Sequence, residues 1–335
     1  MGLLSRLRTQ LVSWWQDIPL PTDIAANFQM WHEFDGTQER WRTVRTTAPE
    51  TSITPGAPNN EDTRPTVEQP SYNLVTWNVD YSSSHPAQRL TAILSHLFAL
   101  SPAIDIIFLQ EVSREALSSL LSNLEIRRDW FLSDADGILP AGQSFLTITL
   151  LSKARFRETI GLSPVWRVPY TSRFGRDALC CDIFAPMASD APGPTRIRLI
   201  NVHLDSLPIQ PSLRPQQVSA SAALLRCAGR GVMAGDFNPV LPADADVVEH
   251  NGLIDAWAAL RPNDEGFTWG VRGDEPFPPN RMDKVAIFGV KVEDIGVLTP
   301  AFVENTGRVR EHEDSDSVVW SDHSGLKCSF KLVES

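Results

Sequence analysis

Polar side chains follow one another at the ends of the apolar strands that this sequence predicts. The clusters are Asn78 and Asp80 after YNLVTWNV, Gln110 and Glu111 within IDIIFLQEV, His203 and Asp205 after IRLINVHL, Asp236 and Asn238 after GVMAGDF, and Ser321, Asp322 and His323 before the last strand. Loops at strand ends gather functional side chains on a rigid scaffold. One carboxylate at such a place is commonly a cap, but the repetition of Asp, Glu, Asn and His predicts a catalytic site.

The donor types in these clusters favour a hard divalent cation over zinc. Magnesium binds through a few carboxylates, water and substrate phosphate oxygens, whereas zinc prefers cysteine and histidine sets. The chain has four cysteines, none of them in a strand-end cluster or a CxxC pair: Cys180, Cys181, Cys227 and Cys328. We therefore expect Mg²⁺, with Mn²⁺ as the alternative, and neither a zinc ribbon nor a disulfide scaffold.

The elements that must position these residues are mostly strands, with a few helices between them. Apolar, β-branched runs predict strands at 72–79, 104–112, 129–133, 144–152, 178–184, 197–204, 231–237, 284–297 and 325–332. Apolar residues at helical spacing predict helices at 87–100, 114–123 and 214–228. This order of elements predicts a layered α/β domain in which two packed β-sheets are flanked by helices.

Composition restricts the class of protein. The chain has 335 residues, of which 42% are hydrophobic, and its formal net charge is −11. This apolar content excludes disorder throughout, and no apolar run approaches the roughly 18 residues that a membrane-spanning helix needs. An acidic chain repels nucleic acid at long range, so a nucleic-acid substrate would need locally clustered basic residues.

Three regions divide the chain. Residues 1–47 are interpreted as an N-terminal extension with an amphipathic helix and a hairpin around Asp35-Gly36. Residues 48–70 are rich in proline and polar residues, which is typical of a linker. Residues 71–335 hold every candidate catalytic residue and are predicted to form the catalytic domain, so residues 1–70 are expected to be dispensable for the chemistry.

The first residues, MGLLSRLRTQLVSWWQ, place leucines and a tryptophan at helical spacing with Arg6 and Arg8 on the polar side. They contain no continuous apolar segment and no small-residue cleavage site, which disfavours a secretory signal. We interpret them as a helix packed on the domain or on a partner, with a mitochondrial transit peptide or a membrane-surface helix as alternatives. An intracellular protein of the nucleus or cytoplasm is expected, with the mitochondrion as the alternative.

The ordered motifs TWNVD (76–80), LQEV (109–112), HLDS (203–206), GDFN (235–238), RMDK (281–284) and SDHSGL (321–326) resemble those of the endonuclease/exonuclease/phosphatase family. The resemblance covers about residues 71–332. It is strongest to the branch that hydrolyses 5′-tyrosyl-DNA ends, and it implies a four-layered α/β sandwich of the DNase I type. The chain departs from the family pattern at Tyr81, where glycine is usual, at Ser324, where tryptophan is usual, and at Lys284, where arginine is usual.

The resemblance implies a role for each carboxylate and amide in these motifs. Glu111 is the principal metal ligand, and Asn78 and Asp322 complete the shell of metal and water. Asp236 orients or deprotonates the attacking water. Asn238 contacts the phosphate or that water.

Two histidines are implied to act on the phosphate. His203 and His323 donate hydrogen bonds to its non-bridging oxygens, where charge builds in the transition state. Asp283 orients His323 through the other ring nitrogen. Whether Asp236 or the His323–Asp283 pair is the general base stays open in the sequence.

Further residues are candidates for binding the substrate. Arg173 and Arg176 lie in a loop that resembles a substrate-facing segment of the family, and Asn78 is expected to face the substrate as well as the metal. Trp269 is either a stacking residue beside the groove or a core residue. Ser206 either hydrogen-bonds within the site or ends a turn.

The function that the resemblance implies is Mg²⁺-dependent hydrolysis of a phosphodiester, preferably a 5′-tyrosyl or similarly blocked DNA end in DNA repair. The first alternative is the same chemistry on another nucleic acid, a phospholipid or a small metabolite. The second is a binding protein that has lost catalysis. A monomer is expected. A DNA substrate requires a basic groove, for which the candidates are Arg173, Arg176, Arg281 and Lys284.

Overall fold

The computed structural model describes residues 26–44, 70–139, 142–157, 165–185, 195–273, 277–303 and 318–333. The predicted N-terminal helix at 1–16 and nearly all of the linker at 48–70 lie outside these ranges, so both stay predictions. No helix within the described ranges is long and apolar enough to cross a membrane.

Two mixed β-sheets form the centre of the structure. The first has seven strands in the order β1 (Asn27–Gln29), β8 (Val165–Pro169), β9 (Asp177–Ala185), β10 (Thr195–His203), β11 (Gly231–Asp236), β13 (Asp283–Phe288) and β12 (Ile254–Asp255). The second has eight strands in the order β14 (Val290–Leu298), β15 (Gly325–Leu332), β4 (Tyr72–Asn78), β5 (Ile106–Ser113), β7 (Phe145–Ser152), β6 (Trp130–Leu132), β2 (His32–Asp35) and β3 (Arg40–Thr43). Among these strands, β4 runs parallel to β5 and β10 runs parallel to β11, while the other neighbours are antiparallel.

Helices cover the outer faces of both sheets. Those on the outer faces are α1 (Pro86–Phe98), α2 (Arg114–Ser122), α3 (Leu124–Asp129) and α5 (Arg214–Ala228), whereas the short helices α4 (Lys153–Phe156) and α6 (Ala256–Leu260) bury Phe156 and Trp257 in the core between the sheets. The stripe of α1 that includes Leu90 and Ile93 is buried with Val75 on the second sheet. Val218 of α5 is buried with Val202 on the first sheet. A separate core fills the space between the sheets, so the four-layered α/β sandwich is confirmed.

The predicted hairpin around Asp35-Gly36 is present as β2 and β3. Through β2 it joins the second sheet, and β1 pairs with β8 at the edge of the first sheet. Trp31 lies between β1 and β2 in the sequence, and it is fully buried in the core between the sheets. This segment therefore contributes strands to both sheets, and its packing counts against a domain boundary at residue 71.

Candidate active site

The strand register brings the polar strand ends together at one edge of the sandwich. In the second sheet, Asn78 at the end of β4 is the register partner of Gln110 in the parallel strand β5. In the first sheet, Asp236 of β11 is the register partner of both His203 in β10 and Asp283 in β13. Because the ends of parallel strands point the same way, these side chains converge on one site.

A bulge in β5 turns Glu111 toward this site. The pairing of β5 with β7 shifts register between Leu109 and Val112, and Glu111 has a φ of 60°. A bulge re-aims a side chain and is frequent beside active sites, and a positive φ is uncommon outside glycine. The Tyr81 backbone N–H donates to Glu111 Oε2 at 3.1 Å, which fixes the carboxylate.

A buried polar network ties the two sheets together directly beneath the site. Gln110 Nε2 donates to Asn201 Oδ1 at 2.8 Å, and Asn201 Nδ2 donates to the Ile148 carbonyl at 2.9 Å. Both side chains are fully buried. Gln110, which the sequence groups with the strand-end residues, therefore holds the scaffold, and Asn201 had no motif by which the sequence could single it out.

Asp236 is held by two asparagines and is easily protonated. Asn78 Nδ2 donates to Asp236 Oδ2 at 3.0 Å, and the Asn238 backbone N–H donates to Asp236 Oδ1 at 2.9 Å. Burial raises the pKa of Asp236 to about 7, with the nearby Asp283 carboxylate adding to this and the His323 charge opposing it. A carboxylate with such a pKa can accept a proton near neutral pH.

His323 and Asp283 form the closest ion pair of the site. His323 Nδ1 lies 2.8 Å from Asp283 Oδ2, and its Nε2 lies 3.9 Å from Asp236 Oδ2. Burial alone would lower the pKa of His323, but the Asp283 charge and hydrogen bond, with the Asp236 and Asp322 charges, raise that pKa well above its ordinary value. His323 is therefore an imidazolium at neutral pH, and its Nε2 is a donor.

His203 has the opposite character. Neither ring nitrogen has a hydrogen-bond partner among the described residues, although both are buried. Its Nε2 lies 3.6 Å from both Glu111 Oε1 and Asp236 Oδ2. Burial, together with the Arg176 and His323 charges, lowers the pKa of His203 well below its ordinary value. A neutral ring whose buried nitrogens lack hydrogen-bond partners is typical of a residue that binds a ligand through them.

Trp269 lies beside the site. Its indole Nε1 donates to Asp322 Oδ2 at 3.1 Å, and its backbone pairs with His323 and Asn280 in isolated bridges. The ring is half-buried. The structure thus places Trp269 next to a predicted metal ligand, and its stacking role stays a prediction.

The loop with the two predicted arginines is held by Asp205. Asp205 accepts hydrogen bonds from the Ser172 hydroxyl and from the Arg173 backbone N–H. Arg176 Nη2 donates to the Ser206 hydroxyl at 3.1 Å, and no described residue bonds its buried Nε. Burial lowers the pKa of Arg176, and the negative charges of Glu111 and Asp236 oppose this by raising it. Arg176 therefore lies at the site.

Arg173 lies farther out. Its guanidinium donates to the Pro211 carbonyl at 2.9 Å and is largely exposed. Only the Arg173 backbone N–H contacts the strand-end cluster, at Asp205, and among the described residues its guanidinium bonds carbonyls of the 210–211 loop.

Arg281 and Lys284 are engaged elsewhere. Arg281 Nη1 lies 2.7 Å from Asp255 Oδ1, and Lys284 Nζ lies 3.5 Å from Asp255 Oδ2. Arg281 and Lys284 lie on either side of Asp283 in the sequence, but both neutralise the buried carboxylate of Asp255. Their charges are therefore compensated by Asp255, and their part in a basic substrate groove stays a prediction.

The donor set fits a magnesium ion held by few protein ligands. Burial raises the pKa of Glu111, the Asp322 charge adds to this, and a side-chain hydrogen bond from Asn78 opposes it. These three side chains therefore share one neighbourhood, in which a divalent cation would compensate two carboxylates. In the described ranges, no three His, Cys, Asp or Glu residues form a preformed metal cage. Mg²⁺ keeps several waters and binds substrate phosphate, so it needs few protein ligands.

A buried arginine that the sequence did not single out supports the site from behind. Arg89 of α1 donates to the carbonyls of Val79 at 3.1 Å and Trp320 at 2.9 Å. It also pairs with Asp80 Oδ2 at 3.3 Å. Arg89 occupies a helix position that reads as polar surface, so no sequence signal distinguishes it.

Comparison with known proteins gives a family and a fold. Residues 75–323 match the model of the Endonuclease/Exonuclease/phosphatase family. A search of curated protein sequences gave no significant match.

Several solved structures are similar in fold. D. rerio TDP2 complexed with single-strand DNA product has a TM-score of 0.59 and 19% sequence identity, over 78% of this chain and 99% of that chain. TDP2 from C. elegans has a TM-score of 0.57 and 18% identity, over 78% of this chain and 75% of that one. An endonuclease/exonuclease/phosphatase family protein from Bacteroides thetaiotaomicron has a TM-score of 0.55 and 14% identity, over 80% and 100%.

Proposed function

Because the chain belongs to the Endonuclease/Exonuclease/phosphatase family, whose members are generally metal-dependent phosphoesterases, we propose that it is a Mg²⁺-dependent phosphodiesterase acting on 5′-tyrosyl-type DNA ends. The observation that carries the hydrolytic part is the pair of opposed titratable groups at the strand ends. Asp236 has a pKa of about 7, and the His323 imidazolium, whose pKa is raised, lies with its Nε2 at 3.9 Å from Asp236 Oδ2. Neighbouring groups with separated pKa values supply a base and a donor together.

Asp236 is the general base in this proposal. The Asn78 and Asn238 hydrogen bonds orient its carboxylate, and its pKa lies near neutral pH, where proton transfer from water is most effective. The alternative base, the His323–Asp283 pair, is disfavoured because His323 already carries its proton.

Two histidines bind the phosphate in this proposal. The His323 imidazolium donates from Nε2 to a non-bridging oxygen, and Asp283 keeps the ring charged and oriented. The neutral His203 offers a second donor from Nε2, which has no partner among the described residues. Donors fixed before the reaction stabilise developing charge without reorganising.

Glu111 and Asp322 would hold the metal, with Asn78 contributing its amide oxygen. When bound, Mg²⁺ supplies Lewis acidity to the phosphoryl oxygens. The bulge at Glu111 and the Tyr81 N–H determine where that carboxylate points before any ion arrives.

The DNA-end specificity rests on likeness and on two neighbours of the site. The motifs resemble those of tyrosyl-DNA phosphodiesterase 2, TDP2, and one D. rerio TDP2 structure contains a single-strand DNA product. Arg176 beside the cluster supplies a cation for a flanking phosphate, and Trp269 supplies a ring. A role in DNA repair follows from this specificity.

A substrate panel tests the proposal. Wild type is assayed on a 5′-tyrosyl oligonucleotide, unmodified single-stranded DNA, a choline phospholipid and bis(p-nitrophenyl) phosphate, each with Mg²⁺, with Mn²⁺ and with EDTA. We expect the tyrosyl oligonucleotide to be cleaved fastest and EDTA to abolish every rate. Faster cleavage of the lipid or of bis(p-nitrophenyl) phosphate would replace the DNA-end substrate, and no cleavage of any substrate would leave a binding protein.

A matched pair of variants tests the base. Asp236→Asn should lower kcat by about 10²- to 10⁴-fold, the range for a general base. Asp294→Asn makes the same chemical change at an exposed residue that pairs with Arg261, and it should leave kcat unchanged. Equal rates for the two variants would remove Asp236 from the chemistry.

A further inference from the structure

Tyr81 places a large aromatic ring where it is partly exposed at the rim of the site. Its exposed fraction is 41%, although most large apolar side chains in this part of the chain are buried. The endonuclease/exonuclease/phosphatase pattern that the chain otherwise follows has glycine at this position. The ring is thus a departure of this chain from the motif pattern that it resembles.

The backbone around Tyr81 is pinned on both sides. Its N–H donates to Glu111 Oε2 at 3.1 Å, which puts the residue next to a proposed metal ligand. The preceding Asp80 accepts hydrogen bonds at Oδ1 from the backbone N–H groups of Ser82 at 3.0 Å and Ser83 at 3.2 Å. Asp80 is itself locked by the buried Arg89. The ring is therefore presented from a preorganised turn, which lowers the entropy lost when a ligand binds.

The Tyr81 ring is the outer end of a column of three neighbouring rings, Tyr81, Phe145 and His203, that reaches the centre of the site. The ring centroids of Tyr81 and Phe145 are 4.5 Å apart, and those of Phe145 and His203 are 5.5 Å apart in a stacked arrangement. The Arg176 guanidinium lies 4.8 Å from the Phe145 centroid. The column thus runs from the exposed rim at Tyr81 to the buried donor His203, with a cation beside it.

We propose that Tyr81 and Phe145 form an aromatic wall that binds a planar ring attached to the scissile phosphodiester. The inference deepens the proposed function, on which it rests, because it names the part of the substrate that this site recognises. The ring could belong to the first nucleobase or to the tyrosyl leaving group. Stacking on either needs only a flat π-face, and it tolerates different bases.

The first test varies substrate and residue together. Wild type, Tyr81→Ala, Tyr81→Leu and Tyr81→Phe are compared on a 5′-tyrosyl oligonucleotide, on one with an abasic first residue and on one whose tyrosyl group is replaced by an alkyl chain. We expect Tyr81→Ala to lower kcat/KM about tenfold or more on the parent substrate, in line with measured base–aromatic stacking. Tyr81→Phe should restore the rate, and Tyr81→Leu, which keeps only apolar packing, should not.

The ringless substrates identify the ring. The loss caused by Tyr81→Ala should shrink on whichever substrate lacks the stacked ring, so the abasic and alkyl arms distinguish a base from a tyrosyl group. An equal loss on all three substrates would mean a structural role and would overturn the inference. The Glu111 contact survives each substitution because it uses the backbone N–H. Phe28→Ala, which removes an exposed aromatic that stacks on Trp166 away from the site, is the matched control.

The second test does not depend on turnover. Binding of thymidine 5′-monophosphate and of phosphotyrosine to wild type and Tyr81→Ala is measured by titration calorimetry in Mg²⁺. Binding of one of them at least about tenfold weaker in the variant supports the wall. Equal affinities of both ligands for the two proteins overturn it, whether or not the enzyme is active. Absence of turnover in the substrate panel, by contrast, rejects the proposed function.

Discussion

Arg89 and Asp80 form a buried ion pair that couples two segments of the candidate site. Arg89 Nη1 lies 3.3 Å from Asp80 Oδ2, and both side chains are almost fully buried. The same guanidinium donates to the Val79 and Trp320 carbonyls, so one side chain joins the end of β4 to the segment that carries Asp322 and His323. The planar fork of arginine is what permits this set of contacts.

Replacing the planar guanidinium of Arg89 by the ammonium group of lysine should shift the groups of the candidate site from their positions. We expect Arg89→Lys to fold but to lower kcat by about 10²-fold, the cost of misplacing catalytic groups by about 1 Å. Single-turnover rates and circular dichroism measure this. Arg127→Lys, a change at an arginine of α3 that donates to the Leu121 carbonyl at the end of α2, should keep the wild-type rate. Wild-type kcat in Arg89→Lys would show that the pair does not position the catalytic segments.

His203 should lower the free energy of unfolding of the protein while it raises kcat. Both of its buried nitrogens lack partners among the described residues, and an unsatisfied buried polar group costs about 1–3 kcal/mol. His203→Phe keeps a flat ring against Phe145 and removes those nitrogens. We therefore expect an unchanged or higher free energy of unfolding in urea, with kcat reduced by about 10²- to 10³-fold through loss of a phosphate donor. A variant that loses stability and retains its rate would contradict both halves of this expectation.

Asp255 should carry a pH-dependent share of the stability. Its carboxylate is buried between Arg281 and Lys284. Burial would raise the pKa of Asp255, but the Arg281 hydrogen bond and the Lys284 and Arg281 charges outweigh this and lower that pKa below its ordinary value of 3.8. A depressed folded-state pKa stabilises the protein fully above the unfolded pKa, and this contribution is lost as the pH falls through the folded pKa.

Asp255→Asn tests that expectation because asparagine also caps a helix N-terminus, as Asp255 does for α6. It should lower the free energy of unfolding at pH 7 by about 3–5 kcal/mol, because the buried Lys284 and the partly buried Arg281 lose their partner. The difference from wild type should stay constant from about pH 5 to 7 and shrink below 3.8. Urea unfolding across this range measures it, and a difference that grows on acidification would have the wrong sign.

The segment before β4 should stabilise the fold. Trp31 is fully buried in the core between the sheets. We expect Trp31→Ala to cost about 3–5 kcal/mol and Trp41→Ala, at a half-buried position in the same hairpin, to cost less. A chain of residues 71–335 should unfold at lower urea than the full chain. If that chain were as stable and as active as the full one, the sequence-based boundary at residue 71 would stand.

The sequence predicted the parts of the molecule whose signals are local. The order of the apolar strands predicted the sandwich, and the polar residues at their ends, such as Asn78, His203 and Asp236, together with the family resemblance of their motifs, predicted a site at these strand ends. The orientation of Glu111 was not predictable, since it depends on a bulge in the pairing of β5 with β7. The bulge is a property of two strands rather than of one.

Charge pairing across the fold was also beyond the sequence. Arg281 flanks a catalytic motif and therefore suggested a substrate contact, but its partner Asp255 comes from another strand and redirects it. Arg89 is the converse case. Its place in the helix pattern predicts an exposed residue, but its side chain is buried and donates hydrogen bonds to carbonyls from other segments. In both cases the long-range partner determines the role, and nothing adjacent in sequence specifies that partner.

Metal-dependent hydrolysis through Glu111 is the central claim, and one measurement tests it most directly. Single-turnover cleavage of a 5′-tyrosyl oligonucleotide is followed against Mg²⁺ concentration for wild type, Glu111→Gln and Glu115→Gln, the last an identical change at an exposed residue of α2. We predict that Glu111→Gln lowers the maximal rate by about 10³-fold, or about 4 kcal/mol, with an unchanged unfolding midpoint, while Glu115→Gln behaves as wild type. A folded Glu111→Gln enzyme that keeps more than about a tenth of the wild-type rate would contradict the claim.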